Sequence, residues 1–195
     1  MARYGKEHKQ ETRQRIIASA GARLKRDGID GSGIATLMAD AGLTNGAFYA
    51  HFESKEDLVA TTVADQLREQ RDSFSAQPPG RAGLEQIVRS YLSVEHRDNA
   101  KFGCASAALL EEIGRSTYAT KRAYTDGLLM VIDDLAKRLG SGDPQWDRMK
   151  ALGVFALMVG TLQVSRALTD RQLADEVLEQ GIQGALALLD AEQPS

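Results

Sequence analysis

The sequence predicts an all-α protein of about nine helices, with a small three-helix head carrying a helix-turn-helix and a larger helical body behind it. Three observations lead there. Apolar residues recur three and four apart through nearly the whole chain, and no segment alternates convincingly with period two. The interruptions fall at glycine and proline, Gln77-Pro78-Pro79-Gly80 being the clearest. Residues 33–52 hold two short helical patterns around a glycine turn, which separates a head over residues 1–53 from a body over 54–195.

In chain order, a first helix is expected from about His8 to Asp27, with Ile16, Ile17, Ala20 and Leu24 on one face and Gly28 as its stop. Ser32 is placed to cap a second helix whose Ile34, Leu37 and Met38 share a face. Gly42 supplies the positive φ that ends it, and Leu43 plugs the turn. Thr44 is placed to cap the next short helix. Phe48 and Phe52, four apart, anchor that helix inward and leave Asn45, Gly46, Tyr49 and His51 facing outward. Ser54 to Asp57 reads as a capping box. Lys55 then stands at a helix N-terminus, where the macrodipole disfavours a cation unless an anion such as phosphate approaches. This is a device for entering a DNA groove.

The body continues with a helix from Lys55 to about Phe74 (stripe Leu58, Val59, Thr62, Val63, Leu67), then one marked by Leu84, Ile87, Val88, Tyr91 and Leu92. His96 to Gly103 reads as a loop, followed by helices over Cys104–Gly114 and Thr117–Leu139. Gly140 to Pro144 ends one helix and starts the next, over Gln145–Leu168, and the last runs over Gln172–Leu189. In the penultimate helix the small residues Gly153, Ala156, Gly160 and Ala167 form a stripe beside the larger Leu152, Phe155, Val159 and Leu162. With Leu178, Ile182, Ala185, Leu186 and Leu189 of the last helix, these residues suit a four-helix bundle with a second copy. Packing of both stripes inside one subunit is the alternative.

The run Ala41-Gly42-Leu43-Thr44-Asn45-Gly46-Ala47-Phe48-Tyr49-Ala50-His51-Phe52, followed by Ser54-Lys55 and Leu58, resembles the TetR family of transcriptional regulators. The resemblance implies a ligand-responsive regulator, by default a repressor released from a palindromic double-stranded operator by a small molecule. It implies phosphate contacts from Thr44, Tyr49 and Lys55, base reading or groove approach at Asn45 and Gly46, and a DNA-backbone contact from His51. Ala47 departs from the second glycine common there, and Ser32-Gly33 replaces a more usual threonine-containing start. The resemblance further implies a homodimer through the last two helices and an effector pocket in the body. Tyr91, Phe102, Cys104, Leu109, Tyr124 and Phe155 are the candidate lining, aromatic and aliphatic positions pointing to a largely apolar effector. Cys104 is open to two readings, a reactive sensor thiol or an inert buried one.

Composition narrows the classes. The 195 residues, 43% hydrophobic, are enough for a real core, and the net charge is only −3. Up to Lys55 nine Lys/Arg face six acids, giving +3 and leaving −6 for the rest, the sign expected of a DNA-facing head. Arg3, Lys6 and Lys9 form a basic arm that either adds attraction to DNA or frays. No apolar leader follows the basic start and Ala151–Leu162 is too short to span a bilayer, so a cytoplasmic protein without a membrane partner is expected. His8, His51 and His96 lie far apart, Glu111 and Glu112 point to different sides of a helix, and no phosphate-cradling glycine loop or Cys/His metal spacing occurs. The expectation is a non-enzyme without metal or cofactor. The runner-up is a dimeric carrier of hydrophobic molecules with a vestigial head.

Overall fold

The computed structural model describes residues 2–192, with side chains described from residue 7 onward. Among these residues there are nine α-helices, two 3-10 helices and no strand. The head comprises α1 (Ala2–Asp27), α2 (Ile34–Asp40) and a 3-10 recognition segment (Asn45–Ala50). The body comprises α3 (Lys55–Ser75), α4 (Gly80–Tyr91), α5 (Val94–Asp98), a 3-10 turn (Ala100–Phe102), α6 (Ala105–Arg115), α7 (Tyr118–Leu139), α8 (Pro144–Ala167) and α9 (Arg171–Asp190).

Helix α1 starts earlier than its apolar stripe indicates, because its first turns carry no stripe to read. Arg3 and Lys6 of the expected basic arm lie outside the described side chains. Gly28 and Gly42 take φ of +81° and +71°, the left-handed values that stop α1 and α2. Ser32 does not cap α2: Gly33 holds that position, and the buried Ser32 hydroxyl donates instead to Gly28 O at 2.7 Å. Ser54 caps α3 as expected, accepting from Asp57 N at 3.1 Å, while Asp57 accepts from Glu53 N at 3.1 Å. The stretch His96 to Gly103, expected as a loop, holds the end of α5 and a 3-10 turn, and Ser93 caps α5.

Two cores divide the chain. The first joins Ile16, Ile17, Ala20 and Leu24 to Leu37, Met38, Phe48, Phe52 and the start of α3, and also takes in Leu109 and Ile113 of α6. The second lies among α4, α7, α8 and α9. A three-helix head of this size is marginal alone, so the apolar face lent by α6 adds burial the head lacks. Helix α6 is also tied to the head by charge, because Glu112 accepts from Ile29 N at 2.7 Å and Asp30 N at 3.1 Å, closing the turn after α1.

The packing of α8 and α9 divides the residues expected at a dimer interface between the subunit's core and its surface. Leu178, Ile182, Ala185 and Leu189 are buried within the subunit's own core, with Leu186 packed at its edge, and so are Phe155, Val159 and Leu162. The strongest apolar stripe of each helix is claimed by intrachain burial. Close approach of α8 and α9 uses Gly181, whose Cβ would sit 2.3 Å from Thr161 Cγ2. What remains outside is the small stripe: Ala156 and Ala167 are exposed, Gly153 and Gly160 half-buried, and a Cβ on Gly160 would meet nothing within 4 Å. Leu152, Leu157 and Val164 flank it, 39%, 37% and 53% exposed, and Leu173 of α9 continues it. None of the described helices is long and apolar enough to cross a membrane.

Candidate nucleic-acid interface and ligand cavity

The recognition segment hangs from two rings. Phe48 and Phe52 are buried in the head core, their centroids 5.8 Å apart. Tyr49 stands edge-on to Phe48 at 5.2 Å yet is 73% exposed, so a buried ring fixes the orientation of an exposed one. Asn45 and Gly46 are exposed beside it, and a Cβ on Gly46 would meet nothing within 4 Å, so packing inside the chain does not demand glycine there. Thr44 takes the cap position in extended geometry, but its hydroxyl makes no capping bond, contrary to the sequence expectation. That leaves it available to an external acceptor. Ala47 packs against the head core. Lys55 is half-buried in the first turn of α3.

His51 is half-buried, and its Nδ1 is enclosed without a hydrogen-bond partner. Burial, followed by repulsion from Lys9 and Arg13, holds its pKa below the ordinary histidine value. Sequence reasoning missed Arg13, whose guanidinium lies 4.7 Å over the Phe52 ring. Lys9 and Arg13 are one helical turn apart on α1, a spacing that could have shown a cationic ridge beside the recognition segment.

The body contains a cavity of about 630 Å³. Its wall is assembled from Lys25 of α1, from α3 between Gln66 and Phe74, from Ile87, Ser90 and Tyr91 of α4, and around α5 from Ser93, Glu95, His96, Asn99, Phe102, Gly103 and Cys104. Of the expected lining, Tyr91, Phe102 and Cys104 are there, Phe102 at the mouth with 74% exposure and Cys104 buried. Leu109, Tyr124 and Phe155 are not. Leu109 is spent in the head-side core, Phe155 sits behind Tyr91 at 6.3 Å in the body core, and the Tyr124 hydroxyl donates to Ser106 Oγ at 3.1 Å. This cavity differs from the apolar lining expected, since amides, hydroxyls and charged groups supply most of its wall.

Residues 16–62 match the family model described as "Bacterial regulatory proteins, tetR family". This part of the chain is similar to TetR-family regulators. The regulator TtgR of Pseudomonas putida is 39% identical over 75 residues, which is 38% of this chain and 35% of that protein. The chain therefore aligns with about a third of that relative's length. Among solved structures, reduced NemR of E. coli superposes with a TM-score of 0.76 at 19% identity, covering 90% of this chain and 95% of that one. FadR of Bacillus subtilis, solved with stearoyl-CoA, does so with 0.63 at 16%, covering 88% and 98%. The match runs from α1 through the 3-10 segment and into the first turns of α3.

His96 joins cavity to frame. The Cys104 N–H donates to its Nε2 at 3.0 Å, which leaves Nδ1 to carry the proton and donate to Tyr91 O at 2.7 Å. Burial pulls its pKa below the histidine norm of 6.5. The folded chain thus binds fewer protons than the unfolded chain as pH drops below that norm, so this contribution is complete above about pH 6.5 and is lost on acidification through the folded value. Urea midpoints are expected to fall from pH 7.5 to pH 5.5. His51, also depressed, contributes with the same sign, so His96→Gln should flatten the dependence without abolishing it. An unchanged pH dependence in His96→Gln would show that the clamp carries none of it.

Proposed function

We propose that two copies of the chain form a DNA-binding transcriptional regulator that reads a palindromic operator and is released from it by a small molecule held in the body, acting as a repressor. The observation that carries this reading is the outward ridge of Asn45, Gly46 and Tyr49, held on buried Phe48 and Phe52 with the Thr44 hydroxyl left without a capping bond. Phosphate contacts from Thr44, Tyr49 and Lys55 set the register of the head, Asn45 and Gly46 face base edges, and His51 with Arg13 adds backbone attraction. Two heads on a twofold axis reach successive major grooves, which makes dimerisation part of recognition. The outward face of α8 and α9 is the dimer surface in this reading, with Leu152, Ala156, Leu157, Gly160, Val164 and Leu173 at its centre.

The cavity supports a polar effector rather than a largely apolar one. Helix α3 runs from Lys55 at the DNA to Phe74 at the cavity wall, and α6 runs from Cys104 at the wall to Glu112 at the turn of the head. A ligand that prefers the head spacing incompatible with DNA lowers operator affinity by its difference in affinity for the two states. The test is selection of bound fragments from the source genome with purified dimer, followed by footprinting. Protected inverted repeats support the reading. Binding indifferent to sequence would favour a carrier with a vestigial head, a reading for which the size of the cavity speaks.

A further inference from the structure

Lys25 is a residue of the head that forms part of the wall of the body's cavity. Its ammonium donates to Gly103 O at 2.9 Å and to Gln66 Oε1, both neutral acceptors, and among the described residues no carboxylate lies within ion-pair distance. Half-buried and desolvated, it has its pKa lowered. The acids on the same wall, Glu69 and Glu95, are exposed; Glu69 acts on Lys25 through space without an ion pair and is engaged by Gln66 Nε2 at 2.8 Å. Behind the wall, Arg166 donates to His96 O at 2.8 Å and to Arg97 O at 3.1 Å, again without a carboxylate, and adds positive potential. The second observation is Tyr91, 3% exposed and lining the same cavity, whose hydroxyl meets no oxygen or nitrogen partner among the described residues and has the Cys104 sulfur as a weak one. Tyr91 and Lys25 both lie within electrostatic reach of Cys104. A buried donor with only a weak sulfur acceptor and, on the same cavity wall, a cation with no direct carboxylate partner form an incomplete set, and an anionic oxygen completes it.

Resting on the reading of this cavity as the effector site, we propose that its ligand is a small organic carboxylate, bound by Lys25 and the Tyr91 hydroxyl, and that this pairing draws Lys25 away from Gly103 and Gln66. The coupling is then direct. The residue that captures the ligand belongs to α1, so occupancy acts on the head without passing through the length of α3.

The test uses matched probes, 2-naphthoate, 2-naphthamide and 2-naphthylmethylamine, with decanoate, decanamide and decylamine as a flexible set, titrated calorimetrically into the full chain. The acids are expected to bind on the order of tenfold more tightly than the amides, the margin of one charge-assisted hydrogen-bond set. Lys25→Gln erases that preference, Lys25→Arg retains most of it, and Tyr91→Phe reduces it. Should Lys25→Gln not fold, the arginine and phenylalanine variants carry the test. Equal binding of acids and amides, preference for the amines, no binding of any acid, or an acid preference that survives Lys25→Gln would each overturn it. These titrations need no DNA, so a chain that binds acids but no operator would keep this inference and sink the regulator.

Discussion

Tyr49→Ala is expected to remove operator binding while leaving a folded dimer. The ring is 73% exposed, so its loss should move subunit stability by no more than about 0.5 kcal/mol. On DNA the same ring acts twice, once per head. A contact worth about 1–3 kcal/mol per head, doubled by symmetry, predicts a loss of about 30-fold to about 10⁴-fold in affinity. Lys55→Ala should differ in its salt dependence: both residues contact phosphate, but only the lysine is a cation that releases a counterion, so its loss lowers the salt slope by about one per head while the loss of the neutral Tyr49 leaves the slope unchanged. Phe48→Ala serves as the contrast. Phe48 is wholly buried, and its truncation costs about 3–5 kcal/mol of head stability, so binding is lost together with the fold. Gel-shift titration across salt concentrations, alongside thermal melts, separates the three. Unchanged operator affinity in Tyr49→Ala would remove the recognition segment from the account.

The head was legible because its rules are short-range. Gly42 and Gly28 stop helices through their own φ, Ser54 caps within four residues, and Phe48 and Phe52 meet because they are one turn apart. Even so, the pattern did not distinguish an α-helix from the 3-10 helix found at Asn45–Ala50. The same limit applies to Thr44 and Ser32, which suit capping by type but do no capping here, since a hydroxyl's choice of partner depends on neighbours brought in by the tertiary fold. The cavity was legible only in part. Tyr91, Phe102 and Cys104 were found because aromatic and sulfur side chains stand out, whereas Lys25, Gln66 and His96 come from separate helices and look like ordinary surface residues until folding brings them together. Apolar periodicity also finds a helix's most hydrophobic face, which in α9 is the face the subunit buries for itself.

That distinction makes the dimer surface testable against the one first expected. Val164→Arg places a charge on the outward face of α8, where the side chain is 53% exposed and the subunit asks nothing of it. The isolated chain should fold with nearly unchanged helicity. In a twofold interface the substitution appears twice and leaves two unpaired charges in one apolar patch, each costing several kcal/mol, so association at micromolar concentration should be lost. Operator affinity should then drop by at least about 10³, because one head buries too little DNA to be selective. Leu178→Arg gives the opposite pattern. Leu178 is 3% exposed in the subunit core, so the charge unfolds the body before any question of association arises. Sedimentation velocity with circular dichroism on both variants decides between the faces: a folded Val164→Arg monomer places the contact on the small-residue stripe, and a folded Val164→Arg dimer puts it elsewhere.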